Sequence, residues 1–468
     1  MKKISFFLLF LIISIFTEAK IQLPSLFCDH MVLQQQTDAA IWGKASPGAT
    51  VKITTSWDHK HYSVKAGTDG NWKVKVKTPV AGGPYQITLS DGNEMKLRDI
   101  LIGEVWLCSG QSNMQMPVKG GNNNPVIGSN HAIATSANAA IRFFAVDIDK
   151  SLKPLDNVSG KWEECRPEQV ANFSAVAYFF GQMLQNVLDV PIGLIRSSYG
   201  GSRIEPWMSE EGLKPYKWVN LPDRNDESSV SPLTSPTVLF NAMIHPFVGY
   251  AIKGVIWYQG ESNVSEPDHY RELLPGLIND WRSVWGIGDF PFYCVQIAPF
   301  DYGDNSINSA FLREAQLKAV NTVSNSGLVC LIDAGEEKNI HPANKKIIGE
   351  RLAYLALAKT YSKKGFEYSG PVFKTMTVKG NLVTLTFSHA ENGLTTFGRE
   401  LNYFKIAGKD KHFYPAHAVI TETGIDLFSI QVDQPVAVRY AFDDFVVGEL
   451  YNTEGLPASS FRTDEWNE

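Results

Sequence analysis

The sequence is short of several things, and each shortage excludes something. Its five cysteines (Cys28, Cys108, Cys165, Cys294 and Cys330) form no C-x-x-C pair, so neither a zinc ribbon nor a dithiol redox motif is present. Their number is odd, so at least one thiol is left over, and no particular disulfide is expected even in an oxidising compartment. Positive charge is not in excess. The formal net charge of −6 offers no electrostatic footprint for nucleic acid. Beyond the N-terminus, no apolar run reaches the ~18 residues that would suggest a membrane span. There is no internal repeat and no low-complexity tract. The G-x-S-x-G motif is also missing. In Gly110-Gln111-Ser112-Asn113-Met114 a methionine stands where the second glycine would be, which argues against the nucleophile elbow of α/β-hydrolases.

What is present begins with an export signal. Lys2 and Lys3 precede an apolar stretch from Ile4 to Phe16, and Thr17-Glu18-Ala19 makes a cleavage site. The expectation is a periplasmic or extracellular protein whose mature form is not membrane-bound. The 11 tryptophans and 12% aromatic content are high. Much of this belongs in a core, but sugar-binding proteins also stack aromatic rings on pyranose faces.

Residues 20–97 read as a β-sandwich-like domain. Trp72, Val74 and Val76 alternate with lysines, the period of a half-buried strand, and turn signals recur between short strands. From 98 to 365 the pattern changes. Short apolar runs (Val105–Cys108, Ile192–Ile195, Val255–Tyr258, Phe292–Val295, Leu328–Ile332) alternate with helical spacing, as in Val176, Phe180, Leu184 and Leu188 or Tyr270, Leu273, Leu277 and Trp281. That is the signature of an α/β fold with a parallel sheet flanked by helices. Residues 366–468 return to β alternation.

Each apolar run of the central region ends in a loop of Gly, Ser, Asn, Gln or Asp, and the loops should share one edge of the sheet. Ser112 follows Val105–Cys108 and is a candidate nucleophile, although most serines in such loops only cap a turn or helix. Gly200-Gly201 follows Ile192–Ile195 and lets backbone N–H groups approach a ligand. Gln259 and Asn263, in Gln259-Gly260-Glu261-Ser262-Asn263, offer amide donors, and Glu261 either contacts substrate or holds its loop. His341, just before Pro342 and a helix, lies in the loop that starts at Asp333 and is the candidate base. His245 is its main rival, in a less polar setting that suits packing.

Together these loops resemble the sialate O-acetylesterases, a branch of the SGNH hydrolases. The resemblance runs from Leu23-Pro24-Ser25-Leu26-Phe27 through Gly110–Met114, Gly200-Gly201, Trp257–Asn263 and Ile340-His341-Pro342 to Gly455–Asp464. It implies a flavodoxin-like central domain and hydrolysis of acetyl esters on sugar hydroxyls, with no metal or organic cofactor. It implies Ser112 as nucleophile and His341 as base. The oxyanion hole would comprise Ser112 N–H, Gly200 or Gly201, and either Gln259 or Asn263. Gln111, Asn113 and Glu261 are further candidates for substrate contact. One position departs from the pattern. Three residues before the histidine, where the wider family carries aspartate, stands Lys338, which cannot accept an imidazole N–H. Asp333, Glu336, Glu337 or a backbone carbonyl remain to orient the ring, and Asp333 is the best fixed because it closes a strand. Two other readings stand beside this one: an esterase of acetylated plant polysaccharide such as xylan or pectin, and a non-catalytic carbohydrate-binding protein.

Overall fold

One 17-residue strand, Glu94–Gly110, organises the chain. Its first half pairs antiparallel with Gly82–Ser90 and parallel with Val32–Gln34. Its second half is bonded in parallel with Ile192–Ser198 on one side and Gly254–Tyr258 on the other. Burial changes along it: exposed and covered residues mix up to Asp99, and every residue from Ile100 to Gly110 is buried. That is the difference between a sheet wetted on one face and a parallel sheet covered on both. The expected boundary at 97/98 therefore falls inside a continuous strand. The computed structural model describes residues 20–303 and 308–466. The export signal read at 1–19 lies outside the described residues.

The central sheet runs in the order Ser326–Val329, Phe292–Val295, Gly254–Tyr258, Glu94–Gly110, Ile192–Ser198, Asn138–Ala145, Trp162–Cys165. All neighbours are parallel except the last pair. The architecture is thus mixed α/β with a mainly parallel central sheet and β-rich regions before and after it. The edge pair Asn138–Ala145 and Trp162–Cys165 escaped the sequence reading, because Asn138 and Glu163-Glu164 dilute its apolar pattern.

Alternation along the strands sends side chains to two layers. Val105, Leu107, Val255 and Trp257 share a core with Leu273, Leu277 and Trp281 of helix Pro267–Trp285 and with Leu312 of helix Ala310–Asn321. Trp106, Cys108, Ile256 and Tyr258 share the other core with Val176, Phe180 and Leu184 of helix Ala175–Leu188 and with Ile348 and Leu352 of helix Lys345–Lys359. Each fully buried side chain of this size contributes about 1.5–3 kcal/mol. Local signals set the helix starts: Ser174 accepts from Ala177 N, and Asn344 accepts from Ile347 N.

The C-terminal region has two four-stranded sheets facing one core. Val383, Leu385 and Ile425 of one meet Phe404, Ile406 and Tyr440 of the other. Buried Arg313 ties this region to the α/β body through the carbonyls of Asp443 and Asp444 and the hydroxyl of Ser460. Among the described residues the five cysteines are free thiols, and no helix is long and apolar enough to cross a membrane.

Candidate active site

Register brings the loops together. Gly110, at the end of the central strand, lies level with Ser198 on one side and Tyr258 on the other. The chain must turn there at once. Gly110 has φ +138°, and a Cβ at this position would lie 2.0 Å from Tyr258 O. Only glycine fits. Gln111 N donates to Tyr258 O, and a one-turn helix, Ser112–Gln115, begins. Ser112 N–H belongs to the first turn and has no acceptor within that helix.

His341 reaches this turn because its own loop is clamped. Glu336 accepts from Ala343 N at 2.7 Å and from Asn339 Nδ2 at 3.0 Å, and Asn339 Oδ1 accepts from His341 N at 3.0 Å. The imidazole Nε2 then lies 2.9 Å from Ser112 Oγ. Both residues are half-buried. Burial, and secondarily the ammonium of Lys345, hold the histidine pKa below its ordinary value, so the ring is neutral and able to accept a proton at neutral pH.

Gly200 lies beside the serine. A Cβ there would be 3.4 Å from Ser112 Cβ, and Gly200 N donates to Gln115 Oε1 at 2.8 Å. A cavity of 470 Å³ opens over these groups, lined by Ser112, His341, Gly200, Gln115, Arg196, Asn122, Asn124 and Asn172 among others. The arrangement can present a hydroxyl, a base and backbone N–H groups to one ligand atom cluster.

Several expected site residues lie elsewhere. Asp333 does not orient the imidazole. Its carboxylate is held bidentately by Arg351 at 2.8 and 2.7 Å, and among the described residues no carboxylate accepts from His341. Gln259 and Asn263 spend their amide groups inside the protein. Gln259 is fully buried and donates to Ser202 O and Asn263 Oδ1, while Asn263 donates to Glu205 and accepts from Ile204 N. Gly201 turns its carbonyl to Ser262 Oγ and does not line the cavity. Gln111, Asn113 and Glu261 are buried and do not line the cavity either. Gln111 Oε1 accepts from Gly260 N, pinning the neighbouring loop. Asn113 Nδ2 donates to Glu261 Oε1 at 2.6 Å and to Ile340 O at 3.1 Å. The common cause is that polar side chains near a sheet edge must satisfy buried backbone groups first.

His245 is a packing residue, its Nδ1 against Leu155 O. The one trio with metal-ligand spacing among the described residues is His30, Asp99 and Glu164. Arg142 already bonds Asp99 at 3.0 Å, and none of the three lines the cavity. Sequence reasoning missed Gln115, Arg196 and Lys345. Gln115 had a signal, since it falls three residues after Ser112 on one helical turn. Arg196, a charge at the end of an apolar strand, had another. Lys345 had none, because a lysine in a helix's first turn reads as surface.

Fold and site together define an α/β carboxylic ester hydrolase. The profile of the family "Carbohydrate esterase, sialic acid-specific acetylesterase" matches residues 102–358. The sialate O-acetylesterase of Mus musculus is 31% identical, with 92% of each chain covered. That of Homo sapiens is 34% identical over 74% of this chain and 72% of its own length. The crystal structure of XAC1771, a carbohydrate acetylesterase from Xanthomonas citri, superposes with a TM-score of 0.87 at 36% identity, covering 96% of this chain and all of its own. The chain belongs to the sialic acid-specific acetylesterase family of carbohydrate esterases.

Proposed function

We propose that this protein removes O-acetyl groups from sugars, sialic acids foremost, by two-step acyl transfer through Ser112 and His341. The observation that carries the proposal is the 2.9 Å contact between Ser112 Oγ and His341 Nε2. Ser112 Oγ attacks the acetyl carbonyl carbon while its proton passes to Nε2. The oxyanion accepts from Ser112 N–H and from Gly200 N–H, which exchanges Gln115 Oε1 for the substrate oxygen. Collapse breaks the ester C–O bond, and His341 returns the proton to the departing sugar hydroxyl. Water then attacks the acetyl-serine, giving its proton to His341. Acetate leaves and Ser112 is restored. Loss of one oxyanion donor costs typically ~10²–10³ in rate.

A dyad suffices in this scheme, with Glu336 and Asn339 holding the loop that carries the histidine. An SGNH, flavodoxin-like reading of the centre is supported by strand order. In chain order the strands at 94–110, 192–198, 254–258, 292–295 and 326–329 lie as 2-1-3-4-5, with the pair at 138–145 and 162–165 added outside the second. Terminal β regions at 20–97 and 366–468, the first joined to the centre through the strand Glu94–Gly110, and export directed by residues 1–19, belong to the same proposal. The sialate preference rests on the family and on the relatives' named activity. Acetate release from O-acetylated sialic acid, set against acetylated xylan, tests the substrate. Ser112→Ala tests the chemistry: it abolishes release of p-nitrophenol from p-nitrophenyl acetate with the fold intact, and unchanged turnover would refute the assignment.

A further inference from the structure

Arg196 is a half-buried arginine without an acid. It sits near the end of the otherwise uncharged strand Ile192–Ser198 and lines the same cavity as Ser112 and His341. Its Nη2 donates to Val146 O at 3.2 Å, while its Nε is buried without an acceptor. Among the described residues no carboxylate lies within ion-pair distance of it. Asp147 acts on it only from further away, and burial lowers its pKa.

The buried arginines are provided for, Arg313 by the hydroxyls of Ser309 and Ser460 and the carbonyls of Asp443 and Asp444. Arg351 has Asp333, Arg439 has Asp464 and Arg142 has Asp99. Arg282 donates to the carbonyls of Phe290 and Asn325. Arg142 and Arg351 also leave Nε unpartnered, but each holds a carboxylate through the rest of its fork. A guanidinium stays charged and is costly to withdraw from water with a single neutral acceptor. A binding pocket is where such a group persists unpaired. No acidic side chain lines this cavity, so nothing there competes with an incoming anion.

We infer that Arg196 is the anion-recognising group of the cavity, and that the acetylated sugar presents a carboxylate to it. The inference rests on the proposed deacetylation of sialic acids at Ser112 and adds the residue that selects for their carboxylate. A planar fork suits a carboxylate, which accepts two parallel N–H bonds. The amides of Asn124 and Asn172 are engaged within the protein, by Asn122 O and by Glu168 O and Lys119.

The experiment compares kcat/KM for O-acetylated sialic acid with that for its methyl ester, in the wild type and in Arg196→Met. The wild type should prefer the free acid by about 10²-fold, the scale of a covered charge pair, and the ratio should fall to about 1 in the variant. A wild-type ratio near 1 overturns the inference and needs no variant, so a misfolded Arg196→Met cannot hide the answer. A variant that keeps the wild-type preference overturns it as well. Neither outcome touches the Ser112 mechanism, which fails only if Ser112→Ala retains turnover.

Discussion

The ammonium of Lys345 donates to Asn113 Oδ1, one residue past the candidate nucleophile. Lys345 is fully buried, and Asn113 carries the contact on to Glu261 Oε1 and to the carbonyl of Ile340, beside His341. Three loops are thereby locked by one buried polar chain. Serine hydrolases commonly set a carboxylate against the imidazole, which favours its charged form. Here the nearby charge is a cation, and it disfavours that form.

The pH dependence follows. The active form of His341 is neutral, and burial with Lys345 holds its pKa below the ~6.5 of a free imidazole. The acid limb of kcat/KM should therefore fall below that pH. Burial pulls the Lys345 pKa down to about 7, so the lysine is charged in the acid range where the histidine would otherwise protonate. Lys345→Met removes the cation, and the acid limb should move to higher pH. The groups facing Lys345 are Glu261, Glu336 and the ring of Tyr258, and a limb that stays in place would show that burial, and not the lysine, sets the histidine.

Asp333→Asn should act on stability and leave the base alone. Arg351 is 4% exposed on its side chain, and its bidentate partner would be lost. Breaking such a covered pair costs roughly 3–5 kcal/mol, which a thermal melt will register as a marked drop in Tm. The pH–rate profile of the surviving enzyme should keep its shape. A shifted acid limb would instead restore Asp333 as a partner of the imidazole.

Asn263→Ala separates the two readings of that residue. As an oxyanion donor its loss would cut kcat ~10²–10³-fold with Tm unchanged. As the buried acceptor of Ile204 N and Gln259 Nε2, its loss leaves donors unsatisfied and costs about 1–3 kcal/mol each. The expected result is the second, seen in denaturant titration.

Gly110→Ala should be strongly destabilising. The backbone at φ +138° excludes ordinary side chains, and the new Cβ would meet Tyr258 O. The cost is on the order of several kcal/mol, read as poor soluble yield and a lowered Tm. Near-normal stability would mean that the turn into Ser112 is softer than its geometry indicates.

Much of this was legible in the chain. The apolar runs at 105–108, 192–195, 255–258 and 292–295 all became strands, since a run buried on both faces needs no alternation to be read. The last run lies slightly earlier than expected, at Ser326–Val329. Helix Ala310–Asn321 was not read, because Arg313, Glu314 and Gln316 are themselves buried and break its apolar stripe. Ser112 and His341 were chosen from residue type, loop position and resemblance, and the structure places them in contact. Their supporting residues were not, and Asp333, Gln259 and Asn263 are held by buried partners, which an amide or carboxylate in a loop does not reveal, since it reads the same whether it faces a ligand or a buried N–H.

The order of strands and loops along the chain therefore determined which segments could carry chemistry, for periodicity and turn residues are local properties. Which polar groups point into the cavity was decided only in three dimensions. Residues 112 and 341 meet because parallel register levels the strand ends, and each remaining donor is assigned by whichever buried partner it must satisfy. That competition depends on neighbours far away in sequence, so no local pattern encodes it.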